Sequence, residues 1–109
     1  MKQEIVSNYW EKEVCGTRFL EKDSKSSEYK QIRNSRYKVE NFIREFAFET
    51  PDNLKNKKIL EIGVGAGTDF IEFLRKNAIC SGIDATDAAI NETKKNIEIA
   101  LPKKNYNLE

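Results

Sequence analysis

The chain has 109 residues, enough for one hydrophobic core but short for a large doubly wound sheet. Charged residues make up 34% and apolar ones 39%, and 19 Lys and Arg against 18 Asp and Glu leave a net charge of +1, which argues against a nucleic-acid footprint because that needs a clear basic excess. Histidine is absent, and Cys15 and Cys80 have no CxxC spacing, which excludes a His-containing zinc site and a Ser-His or Cys-His catalytic pair.

The N-terminus, Met1-Lys2-Gln3-Glu4-Ile5-Val6, lacks the apolar core of a signal peptide, and no run approaches the roughly 18 apolar residues of a membrane span. A cytoplasmic location without membrane contact is expected. Residues 3–13 carry Ile5, Val6, Tyr9 and Trp10 in a weak helical pattern that ends near Cys15-Gly16-Thr17. The polar stretch from Glu21 to Glu28 reads as a solvated loop.

From Glu28 onward, Tyr29, Ile32, Val39, Phe42, Ile43 and Phe46 recur at helical spacings, interrupted by Ser35 and Arg36. They predict an amphipathic helix that Thr50-Pro51-Asp52-Asn53 closes, because a residue before proline is pushed out of the α region. Aromatic side chains on such helices are mostly core, and Tyr9, Trp10 and Tyr37 are read that way rather than as substrate-stacking groups.

Lys58 to Ile62 is a short β-favouring run, and Thr68 to Lys76 places Phe70, Ile71, Phe73 and Leu74 on one helical face. Ile79-Cys80-Ser81-Gly82-Ile83 is a second apolar strand, with Cys80 a buried small hydrophobe. Thr86 is placed to cap a helix running to Ala100 with Ala89, Ile90, Ile97 and Ala100 inward. Strand, helix, strand, helix with short connections predicts a parallel pair in an α/β fold. The ending from Leu101 to Glu109 shows no closing element, so the chain reads as the front part of a longer domain. The lysines at 94, 95, 103 and 104 read as a solvated helix face and tail.

The densest signal is Glu61-Ile62-Gly63-Val64-Gly65-Ala66-Gly67-Thr68-Asp69, where a strand breaks into three alternating glycines and then a helix. Glycines there bring backbone close to a ligand at the carboxyl end of the strand. A dinucleotide fingerprint needs G-x-G-x-x-G, and this spacing misses by one residue. Glu61 and Asp69 also frame the loop, and a pyrophosphate would meet Asp69 where a helix end should attract it. Asp69 itself is read as a favourable first-turn charge on the helix. A ligand without phosphate and with a positive amine suits these acids better, and S-adenosylmethionine is one.

The pattern of Glu61, Gly63, Gly65 and Gly67 resembles the first motif of class I S-adenosylmethionine-dependent methyltransferases, and Gly82-Ile83-Asp84-Ala85-Thr86 is similar to the family's second. The resemblance covers residues 54–100 and reaches the N-terminal part loosely, through Tyr9-Trp10 and Cys15-Gly16-Thr17-Arg18. It implies a Rossmann-like methyltransferase fold, incomplete here: residues 1–53 form a helical segment capping the cofactor cleft, and residues 54–109 the first two βα units. It implies that Gly63, Gly65 and Gly67 admit the methionine part of the cofactor, Glu61 orients the loop or the cofactor ammonium, Asp84 accepts the ribose hydroxyls, and Ala85 lies beside the adenine. The implied reaction is in-line attack of an N, O, S or C nucleophile on the sulfonium methyl. No catalytic base is assigned, no metal is expected, and the later strands of the family, which bear most substrate contacts, lie beyond Glu109. Two other readings stand beside it: a nicotinamide-dependent oxidoreductase fragment, and a non-catalytic module of methyltransferase fold that binds cofactor or a partner. On either fragment reading, the uncovered edge of the first strand predicts self-association.

Overall fold

The computed structural model describes residues 2–12, 25–43, 47 and 54–109. The segment Cys15-Gly16-Thr17-Arg18, the stop at Thr50-Pro51-Asp52-Asn53, Phe46, and the side chain of Trp10 lie outside the described residues. The described elements are α1 (Lys2–Lys12), α2 (Lys25–Val39), the single turn α3 (Asn41–Ile43), β1 (Lys58–Ile62), α4 (Thr68–Arg75), β2 (Ile79–Ile83), α5 (Asp87–Ala100) and β3 (Asn107–Leu108).

β1 and β2 pair in parallel, from Lys58 opposite Ile79 to Ile62 opposite Ile83. The tail departs from expectation. Asn107 and Leu108 add a third parallel strand opposite Ser81 and Gly82, giving the order β1-β2-β3. Two backbone bonds of 3.0 Å hold it, from Glu109 N to Gly82 O and from Asp84 N to Glu109 O. The free edge of β2 offers unpaired backbone groups, and Leu108 packs against the core, which together outweigh the weak strand preference of asparagine.

One face of the sheet is covered. Ile59 and Cys80 point into a core made by Phe70, Ile71 and Leu74 of α4, Ile90 and Ile97 of α5, and Tyr29 of α2. Cys80 is sealed there as expected, its thiol pushed up to about 11 chiefly by burial. On the opposite face Leu60, Ile62, Ile79 and Ile83 are exposed, at 60%, 76%, 52% and 40%. The result is a mixed α/β unit with a small parallel sheet, compatible with part of a Rossmann-like fold.

Antiparallel packing against α4 sets the inward face of α2. Arg33 binds Glu72, Arg36 binds Asp69, and the Tyr37 hydroxyl reaches Thr68 O at 3.4 Å, so rising numbers in α2 meet falling numbers in α4. Tyr29, Ile32 and Tyr37 are buried. Four expectations about these helices need correction. α2 begins at Lys25, inside the stretch read as loop, and it breaks at Glu40, inside the run read as one helix. Val39 and Phe42, read as inward, are 75% and 63% exposed because they lie past Thr68, where α4 starts and no longer offers a surface. Tyr9 is half exposed rather than core.

Candidate functional site

Where β1 ends, the chain turns on glycines. Gly63, Gly65 and Gly67 have φ of 78°, 58° and 81°, left-handed values that strain any residue with a Cβ. Gly63 N donates to Ile83 O at 2.8 Å and Gly67 N to Val64 O at 2.9 Å, and Gly67 then caps α4. The two ends of the loop differ. A Cβ on Gly63 would meet nothing within 4 Å, whereas one on Gly67 would lie 2.7 Å from Thr93 Cγ2. The space beside Gly63 is therefore open to a ligand, and the backbone at Gly67 is packed shut.

Parallel pairing brings the end of β2 to the same place. Asp84 Oδ2 accepts from Gly65 N at 3.1 Å, and Oδ1 accepts from Thr86 N at 3.1 Å and Thr86 Oγ1 at 3.2 Å. Thr86 in turn caps α5, accepting from Ala89 N at 3.2 Å, as its position before the helix predicts. Ala85 is exposed beside them. Glu61, Gly63, Gly65, Gly67, Asp84 and Ala85 are thus gathered at the carboxyl ends of two adjacent parallel strands, where α/β sheets bind ligands.

Glu61 is the electrostatically unusual member. It projects to the covered face of β1, and its Oε2 is buried with no hydrogen-bond partner. Burial pushes its carboxyl up to about 8; the Asp69 and Asp84 charges add to this, and Arg36 opposes it. A buried acceptor left open in this way is suited to a cationic or hydrogen-bonding group from outside the chain.

Three sets of side chains that shape the site escaped the sequence reading. Thr93, fully buried, donates to Gly65 O at 2.9 Å, and Asn96, 2% exposed, donates to Ala66 O at 2.8 Å. Both sit on the inward face of α5 beside Ala89, Ile90 and Ile97. Polar residues in an apolar helical register were the available signal. Arg36 holds Asp69 with two bonds, Nε to Oδ1 at 3.0 Å and Nη2 to Oδ2 at 2.6 Å, and Tyr37 donates to Oδ1 at 2.9 Å. Asp69 is accordingly a structural anchor for α2. Its charge is offset by Arg36, so the electrostatic objection to a pyrophosphate weakens and the glycine spacing carries that discrimination alone. Glu11 of α1 accepts from Asp87 N at 2.7 Å and Ala88 N at 3.4 Å, joining α1 to the first turn of α5 next to Asp84.

Among the described residues no helix is long and apolar enough to cross a membrane. No family model matches the chain. No solved structure matches it. Among curated proteins it is similar to the ubiquinone biosynthesis O-methyltransferase of Pelagibacter ubique (strain HTCC1062), with 42% identity over 66 residues, 60% of this chain and 25% of that protein. The chain matches about a quarter of that relative's length, so the likeness is to one part of a methyltransferase.

Proposed function

We propose that residues 54–109 are the S-adenosylmethionine-binding part of a class I methyltransferase, with residues 1–53 lying over the cofactor cleft. One observation carries this reading: the open space beside Gly63 is flanked by the unpartnered carboxyl of Glu61 and by Asp84 on the neighbouring strand. The partial likeness to an O-methyltransferase supports it and favours an oxygen among the possible N, O, S and C acceptors.

The residues present fit the cofactor. Glu61 would hold the ammonium, since an amine gives its buried Oε2 the partner it lacks and its negative form the charge that offsets burial. Asp84 keeps acceptor capacity on both oxygens beyond its bonds to Gly65 and Thr86, which suits a vicinal diol. Gly63 leaves room for the methionine chain, and Ala85 offers a small exposed wall for the adenine. When bound, the cofactor supplies a sulfonium methyl activated by its own positive charge. The protein's task is then alignment more than acid–base chemistry, which accords with a chain that has no histidine. Val39 and Phe42, exposed past the start of α4 that Gly67 caps, give the N-terminal segment apolar surface with which to cover a bound ligand.

Calorimetric titration of the chain with S-adenosylhomocysteine, with NADH as control and Asp84→Ala beside it, tests the reading. Saturable binding of the first ligand alone, weakened at least tenfold in the variant, is the expected result. Binding of NADH instead would assign the loop to a nicotinamide enzyme. Binding of neither would leave a non-catalytic module of the same fold.

A further inference from the structure

At the end of α4 remote from the glycine loop, a groove of about 570 Å³ opens between the start of α2 and the ends of α4 and α5. Its wall carries three cationic side chains, Lys30, Arg33 and Arg75, with Tyr29 and the apolar surface of Ile99 and Ala100. No acid lines it. Glu72, just beneath, binds Arg33 and lies 3.7 Å from Arg75, so one carboxylate is shared between two guanidinium groups. Lys30 has no ion pair among the described residues. Among the described residues the groove therefore holds two positive charges in excess.

A second observation points the same way. Tyr29 is 3% exposed, and its buried hydroxyl has no hydrogen-bond acceptor among the described residues. Tyr29 lines the groove, and the charges of Glu72, Arg75 and Arg33 act on its hydroxyl. Burial raises its pKa and keeps it protonated, a donor without an acceptor.

We propose that this groove binds a phosphomonoester, the phosphate meeting Lys30, Arg33, Arg75 and the Tyr29 hydroxyl while an apolar stem lies along Ile99 and Ala100. A dianionic phosphate matches the charge excess where a carboxylate would leave one cation unmet, and its three terminal oxygens can accept from donors arriving from α2 and α4 together. Arg75 and Lys30 are exposed, so a phosphate reaches these two cations without opening the core. The site is separate from the glycine loop, and it stands whether or not the methyltransferase reading does.

Phenyl phosphate is the probe, titrated at low salt and followed by amide chemical shifts, with phenol as the uncharged control. Saturable shifts confined to α2, the end of α4 and the end of α5 are expected, with phenol giving none. Arg75→Glu should weaken binding at least tenfold. Tyr29→Phe, which keeps the packing and removes the hydroxyl, should weaken it about threefold while the circular dichroism spectrum is unchanged. Equal binding of phenol, no saturation, or the same affinity in Arg75→Glu as in the native chain would each overturn the proposal.

Discussion

Thr93 occupies the place that a side chain on Gly67 would need, its Cγ2 lying 2.7 Å from where the Cβ would stand. Gly67→Ala therefore combines left-handed backbone strain with a clash in a fully buried spot, and should destabilise the chain by about 2–4 kcal/mol. Gly63→Ala meets the same strain in open space and should lower stability by about 1–2 kcal/mol. Urea denaturation midpoints compare the two. On the proposed cofactor reading, Gly63→Ala should lose more S-adenosylhomocysteine affinity than its small stability change explains.

The carbonyls of Gly65 and Ala66 are satisfied from α5. Asn96→Leu leaves Ala66 O buried and unpaired, and should destabilise by about 1–3 kcal/mol. Thr93→Val keeps shape and loses the bond to Gly65 O, with an expected loss near 1 kcal/mol. Amide exchange at residues 65–68 should speed up in both variants; unchanged exchange would show that these bonds do not hold the loop.

Much of the second half was legible in the sequence because local signals agreed with the global fold. Lys58–Ile62 and Ile79–Ile83 occupy their expected positions, α4 starts at Thr68, and Thr86 caps α5. The misses have physical causes. β3 rests on the unpaired edge of β2, a neighbour's property that Asn107 and Leu108 do not advertise. Val39 and Phe42 keep a helical rhythm, but whether an apolar residue is covered depends on where α4 begins. Of the site, the glycines and acids were visible as a motif. Thr93, Asn96, Arg36 and Glu11 reach it across 28 to 76 positions of the chain, and their residue types alone gave no sign of a partner.

Glu61 predicts a pH dependence of stability. Its carboxyl is raised from 4.5 to about 8 in the folded chain, so folding retains a proton that the unfolded chain releases. The destabilising contribution is absent below about pH 4.5, grows as pH rises, and is complete above about 8. Glu61→Gln removes it, and should stabilise the chain by about 1–3 kcal/mol at pH 9 relative to pH 5. Denaturation curves of both proteins at the two pH values check this, and parallel behaviour of variant and native chain would count against it.

Arg36 ties α2 to the first turn of α4 through Asp69. Arg36→Ala should lower stability by about 1–2 kcal/mol, because it leaves Asp69 with the Tyr37 hydroxyl alone and removes a positive charge that opposes the protonation of Glu61. The titration midpoint of Glu61, read from its side-chain carboxyl resonance, should move upward in this variant.

Leu60, Ile62, Ile79 and Ile83 form an exposed apolar face on the sheet, and β1 is an edge strand in the order β1-β2-β3. Concentration-dependent self-association is expected in sedimentation velocity. Ile62→Lys places a charge at the most exposed of the four positions and should shift the distribution toward monomer. A native chain that stays monomeric across the concentration range would overturn the expectation.

The buried bonds from Thr93 and Asn96 to the glycine loop also have a consequence in time. A ribosome finishes Gly63-Val64-Gly65-Ala66-Gly67 well before it reaches the two residues that fix those carbonyls, and the strand that flanks Asp84 comes later still. The nascent chain therefore carries the glycine sequence while its shape is still pending. The loop is written before the helix and the strand that fix it, and its shape sets only once the αβ layer around it is complete.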